Sequence, residues 1–347
     1  MKRFVAAIAG SLSILILVAA PVAACGGLIG PRGSVNLLNT TTFAGYHAGV
    51  EHYVTAFEYA GGGGQFGSIV PLPGVPSDVQ KGGAWTLQRL VLETSPVLQF
   101  ATRKSAVLED ADSGVEVLLE TRIDALDITV LKGGGTAVGE WAAEHGFELS
   151  EDAPEVLEFY AERSPIFLAA VFDGDAAADR GQIVGDGTPV HITIPTPNPW
   201  VPLRILGMGK PDVEVVQADV FLLTDRKPAM LPEIRQASTR SGGPVIEHSA
   251  AASSSLLADL RSDVGMEWVP ESGWLTKVRI DAEAGDLTYD LAVDASGEGN
   301  PSRTAAGLAP ISRVNEATMM MLPMLALLVA GGSVAGSCRR RERITDE

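Results

Sequence analysis

Metal centres and acid–base sites need histidine, cysteine and carboxylate side chains brought within a few ångströms of one another. This chain has five histidines, His47, His52, His145, His191 and His248, and two cysteines, Cys25 and Cys338. No His-x-x-x-His pair and no pair of neighbouring cysteines is present, so the spacing of a zinc site is missing. Glu51 and His52 are adjacent on an expected strand, which turns them to opposite faces. His145 follows Glu144 at an expected helix end, where a positive ring suits the dipole. The sequence therefore gives no metal–histidine centre.

Oxygen ligands are more plentiful. Asp173-Gly174-Asp175, with Asp179 and Asp186 nearby, is an acidic loop of the kind that calcium uses. It lacks the glycine and closing glutamate of an EF-hand loop. A solvated turn is the preferred reading, and Asp173, Asp175 and Asp179 remain a secondary calcium candidate. Two glycine runs invite a phosphate reading. Gly62-Gly63-Gly64-Gln65-Phe66-Gly67 matches G-x-G-x-x-G, but that fingerprint works only where the turn opens a helix. Pro71 and Pro73 forbid one, so a hairpin tip is expected. Gly133-Gly134-Gly135-Thr136 does follow a strand and open a helix. The next element is another helix rather than a parallel strand ending in an acid, so the run is read as a glycine-rich helix start.

No G-x-S-x-G elbow occurs, and Ser253–Ser255 lies in low-complexity chain. A serine–histidine–acid set would have to be gathered from distant segments by folding. Trp200 stands among Pro195, Pro197, Pro199 and Pro202, and is expected as an edge crossing with its ring in the core. The sequence names no catalytic residue and calls for no cofactor.

The elements that would carry these residues are mostly strands. Val50–Tyr59, Phe66–Val70, Val115–Glu120, Leu126–Leu131, His191–Ile194 and Val213–Leu223 are rich in strand formers. Ile166–Phe172 is a continuous apolar run, the mark of a strand buried on both faces. Helices are expected at Trp85–Glu93, from Thr136 to about His145, from Asp152 with Glu155 completing a capping box, and at Leu256–Arg261. Trp274–Ile280 and Leu287–Asp294 alternate and are expected to form a hairpin through Gly285. That register sets Ile280 opposite Leu287, Val278 opposite Tyr289 and Lys277 opposite Asp290. Strand follows strand more often than it alternates with helix, which points to an α+β fold with a largely antiparallel sheet and a few packed helices.

Both ends read as addresses rather than fold. Lys2-Arg3, the apolar run Phe4–Ala20 and small residues up to Ala24 form a secretory signal. Cleavage would leave Cys25 first. Val22-Ala23-Ala24-Cys25 also has the form of a lipobox, in which Cys25 carries lipid; ordinary cleavage is preferred because a second anchor exists. That anchor is Ala317–Cys338, 22 uncharged residues followed by Arg339, Arg340, Arg341 and Arg343. At ~1.5 Å per residue the run reaches ~33 Å, enough for a ~30 Å hydrocarbon core. Clustered arginines stay on the cytoplasmic side, which puts the preceding chain outside. A bilayer then separates Cys25 from Cys338, and the outer fold has to hold without a disulfide. The expected organisation is a signal peptide (1–24), a main domain (25–225), an irregular connection (226–255), a helix plus hairpin packed on that domain (256–294), a flexible stalk (295–316), a transmembrane helix (317–338) and a basic cytoplasmic tail (339–347). Val314-Asn315-Glu316-Ala317-Thr318 is similar to the start of a C-terminal sorting signal, but lacks the usual prolines, and permanent anchoring is preferred.

Several short motifs resemble the bacterial "domain of unknown function 2330" family. They are Ala24-Cys25-Gly26-Gly27, Tyr59 to Gly61 before Phe66, Val70-Pro71-Leu72-Pro73, Trp141 with His145-Gly146-Phe147, Tyr160 before Phe167, and Pro199-Trp200-Val201-Pro202-Leu203. The likeness runs from about Cys25 to Leu223. It implies export, in some members with a membrane helix, and carries no activity.

With 26 basic and 43 acidic residues the net charge is −17, and most of the arginine cluster lies in the tail, so the outer part is more acidic still. Such a surface repels phosphate backbones, which excludes a nucleic-acid partner. The expected partners are the membrane, through the C-terminal helix, and an envelope protein or the cell wall. A membrane-tethered binding or structural module is the first reading. An extracytoplasmic hydrolase, its site assembled from distant segments, is the alternative.

Overall fold

The computed structural model describes residues 27–30, 33–34, 40–58, 65–83, 85–95, 117–181, 187–236, 243–294, 296 and 298–309. The expected signal peptide, Cys25, Asp186, the transmembrane run and Cys338 lie outside them. No helix among the described residues is long and apolar enough to cross a membrane.

In chain order the first strands are β1 (Gly27–Gly30), β2 (Gly33–Ser34), β3 (Thr40–His47), β4 (Val50–Glu58), β5 (Gln65–Pro71) and β6 (Asp78–Lys81). Helix α1 (Thr86–Thr94) follows, then β7 (Val117–Ile123), β8 (Leu126–Lys132), the helical pair α2 (Gly134–Glu144) and α3 (Ala153–Ala161), β9 (Ile166–Asp173) and the short α4 (Gly174–Asp179). The remainder is β10 (Gly187–Pro195), β11 (Trp200–Val201), β12 (Val215–Thr224), β13 (Ala229–Leu231), β14 (Arg235–Gln236), β15 (Gly243–Ala251), α5 (Ser254–Arg261), β16 (Trp274–Glu283) and β17 (Leu291–Asp294).

Among the described residues three sheets result. One has six strands in the order β2-β1-β5-β9-β8-β7, one has eight in the order β14-β15-β16-β12-β3-β4-β10-β6, and one has three in the order β11-β17-β13. Pairing is antiparallel except between β12 and β3 and between β14 and β15. The fold is α+β with mostly antiparallel sheets and few helices. The eight-stranded sheet divides two cores. Ala44, Tyr53, Ile192, Ile194, Val220 and Ile280 belong to a large cluster shared with Ile69, Ile128 and Leu168 of the six-stranded sheet. Phe43, Val54, Phe221, Leu223 and Leu275, one residue out of phase, join Leu90 of α1 and Leu256, Leu257 and Leu260 of α5 in a second cluster. Alternation along each strand separates the two sets. β9 is buried along seven consecutive residues, which explains why its sequence shows no alternation.

Several expectations are corrected. The glycine run 61–64, expected as a hairpin tip, lies outside the described residues, and the strands on either side of it do not pair: β4 pairs with β3 and β10, whereas β5 pairs with β1 and β9 in the other sheet. β16 and β17 do not pair either. Both edges of β16 are occupied, by β12 and β15. The turn after it bonds elsewhere, Ala284 N–H to Glu214 O and Gly285 N–H to Asp212 O. β17 therefore joins β11 and β13. Lys277 lies 2.9 Å from Glu247 and 3.2 Å from Asp219, not against Asp290. The stretch 226–255, expected as irregular, holds β13, β14 and β15. The segment expected as a free stalk is folded as far as it is described: Ala305 and Ala306 are core residues, within a compact unit that ends at Leu308.

Candidate functional site

β3 and β4 are joined by Ala48 and Gly49 alone, both at positive φ (51° and 84°), the backbone of a tight hairpin turn. The turn overhangs an open polar cleft of about 410 Å³ lined by Tyr46, Asn198, Asp225, Arg226, Asp294 and Ser302, with Pro197 and Pro199 beside them. Four segments far apart in sequence meet there. The Tyr46 hydroxyl donates to Thr196 O at 2.9 Å, which fixes its ring. Asp225 is held by His47 Nδ1 at 2.7 Å. The Asp294 carboxylate accepts from Ser296 N–H, Ser296 Oγ and Asn300 N–H, and these donors hold it below its ordinary pKa despite burial.

Beside Tyr46, on the same face of the strand pair, is its cross-strand partner Glu51. Glu51 is 1% exposed, and its two carboxyl oxygens find no hydrogen-bond partner among the described residues. Burial pushes its pKa up to about 8, opposed only by the nearby Trp200 backbone. The carboxyl is consequently neutral at pH 7. Sequence reading placed Glu51 on a strand but could not show that both faces of that strand are covered.

On the opposite face His52 and His191 meet, a contact between residues 139 apart with no sequence signal. His52 pairs in register with Thr193, so His191 is its diagonal neighbour. His52 Nδ1 and His191 Nε2 are 3.0 Å apart, and Gln80 Nε2 is 3.4 Å from His191 Nδ1. The Gln80 amide nitrogen, the atom placed against the ring, can only donate, so in this arrangement His191 accepts on Nδ1 and donates from Nε2 to His52. Trp268 stacks on His52 with ring centres 3.8 Å apart. It fits because Gly45 has no Cβ to meet it. Desolvation pushes both rings down, His191 to about 4 and His52 to about 3. This is a sealed, neutral link between β4 and β10.

A third polar centre is structural. Asp290 is fully buried, and Tyr160 Oη, Leu203 N–H, Arg204 N–H and Arg163 Nη2 all donate to it. Burial pushes its carboxyl up against the pull of Arg163 and the two amides. The Arg163 guanidinium also lies over Phe159, Tyr160 and Trp200, 4.0–5.0 Å from the ring centres. Trp200 is thus in the core, as its proline setting suggests.

The remaining sequence candidates are dispersed. The Asp173 carboxylate accepts from Asp175 N–H and Ala176 N–H, capping α4. Among the described residues no group of three or more His, Cys, Asp or Glu is placed to hold a metal. Gly133 N–H is spent on Pro165 O, and Gly134 allows Ala161 to pack close; the glycine run serves packing. The capping box fails: Asp152 accepts from Gly209 N–H and Glu155 pairs with Arg204. Ser253 lies in no loose chain but caps α5 and donates to Glu93. His145 closes α2, its Nδ1 2.8 Å from Trp141 O.

The fold and cleft define a mixed α+β protein with mostly antiparallel sheets and an open polar recess. The profile of the DUF2330 family, described as uncharacterized protein conserved in bacteria, matches residues 19–227. The chain belongs to this family. No curated protein matches it. Among solved structures, baculovirus P35 matches at 9% identity and TM-score 0.38, over 74% of this chain and 96% of that chain. A mutated P35 after caspase cleavage matches at 8% identity and TM-score 0.38, over 74% and 99%. P35 in the caspase-8 complex matches at 10% identity and TM-score 0.34, over 74% and 90%. Likeness at this level carries no inference about the present chain.

Proposed function

We propose that the protein is a membrane-anchored extracytoplasmic binding module of the cell envelope, and that its recognition surface is the cleft under the β3–β4 turn. The cleft carries the binding half of this reading: it is open, polar, and large enough for a small ligand or a side-chain cluster of a partner. The buried histidine pair and the Arg163–Asp290 centre are closed off in the interior and act on packing.

The anchoring half rests on the uncharged run 317–338 and the arginines after it. Intact cells treated with a membrane-impermeant thiol reagent should leave Cys338 unlabelled, while Cys25 reacts unless it carries lipid. The mass of the mature chain would reveal signal removal or loss of the tail. Recovery of the full-length mature chain in the soluble fraction without detergent would overturn the reading.

A further inference from the structure

We infer that the cleft binds a neutral, hydroxyl-rich ligand of saccharide size, which rests on the binding-module reading and names its ligand class. Charge excludes the ionic alternatives first. Asp225 is paired with His47, and Asp294 stands against Arg226 on the lining, so no excess of positive charge draws a phosphate or carboxylate, in a chain of net charge −17. Neither acid is free to attract a cation strongly: Asp225 is paired with His47, and Asp294 is occupied by donors of its own loop. Glu51, across the strand pair from Tyr46, adds no charge, since it keeps its proton at pH 7.

What remains suits a sugar. The Tyr46 ring, fixed through its hydroxyl, and the rings of Pro197 and Pro199 put apolar surface on the lining, which suits the C–H face of a pyranose. Asn198, Ser302 and Arg226 supply an amide, a hydroxyl and a guanidinium, and such groups pair with vicinal hydroxyls as donors and acceptors. No acidic partner claims the Arg226 guanidinium among the described residues. A recess of about 410 Å³ is at the small end of ligand pockets, which span ~300–1,000 Å³.

The test uses the full-length protein in a detergent without sugar headgroups, titrated calorimetrically with neutral trisaccharides of glucose and of N-acetylglucosamine. A sulfated trisaccharide and a neutral tripeptide serve as comparisons. At least one neutral saccharide should bind, and Asn198→Ala and Arg226→Ala should each weaken it by about tenfold, with melting temperatures unchanged. Arg279→Ala, on the β16 ion-pair network, should leave binding intact. Absence of saccharide binding, preference for the sulfated sugar or the peptide, or indifference to both cleft variants overturns the inference. A photo-crosslinker at position 198 separates the two failures. If saccharides do not bind but an envelope protein is captured from intact cells, the binding-module reading stands without its ligand class. If neither occurs, both fall.

Discussion

Glu51 and the two buried histidines titrate with opposite effects on stability. Folded Glu51 keeps its proton to about pH 8, whereas the unfolded chain releases it near 4.5. Between those values the folded state holds the extra proton, so stability falls as pH rises through that window. His191 and His52 protonate near 6.5 when unfolded, but only at about pH 4 and 3 when folded. Their contribution is complete above pH 6.5 and is lost as pH falls toward 4. Together the three groups place maximal stability near pH 6.5. Urea denaturation across pH 4–9 should show this maximum. Glu51→Gln should add on the order of 4 kcal/mol at pH 8 and flatten the alkaline limb, and His191→Gln should flatten the acid limb. An unchanged alkaline limb in the glutamine variant would mean that folded Glu51 is already ionised at neutral pH.

Elements are held in place here by side chains supplied from elsewhere in the chain. Helix α1 has no capping side chain of its own at Trp85. Asp263, just beyond α5, accepts from Trp85 N–H, Thr86 N–H and Thr86 Oγ, and Gly83 leaves room for its carboxylate. Asp263→Ala should cost about 1–2 kcal/mol, the usual loss of a helix cap. The Arg163–Asp290 pair ties α3 to the turn before β17. Removing one partner strands a buried charge, so Arg163→Ala should destabilise by roughly 3–5 kcal/mol, far more than Asp281→Ala in the exposed ion-pair network. Equilibrium denaturation of the three variants would decide; equal losses would mean that Asp290 stays solvated when Arg163 is removed.

At the scale of the molecule the C-terminal segment completes the fold. Arg163 donates to Ala305 O, Asp290 N–H donates to Ala306 O, and Gly307 lies against the Phe159 ring. A chain ending at Leu308 should therefore melt higher than one ending at Asp294, by several degrees. Scanning calorimetry of the two checks this, and equal melting temperatures would return residues 295–308 to the role of a free stalk. The same packing gives the cleft part of its lining, because Ser296, Asn300 and Ser302 belong to this segment.

The sequence by itself determined the fold class and most element positions, because helical spacing in α3 and α5, the continuous apolar run of β9 and the strand formers of β4 and β12 are local signals. It also marked Trp200 as a core residue. Strand partners were decided only by tertiary structure. Alternation in β16 is satisfied equally by a neighbour next in sequence and by β12 and β15, and the energy of pairing depends on which edges are free. For the same reason the His52–His191 contact and the cleft were not legible: each joins residues from distant segments, and no local pattern encodes a meeting between them. Glu51 shows the limit most plainly. Its strand was readable, but whether its carboxyl faces water or the core, and hence its charge, is set by the sheet packed against it.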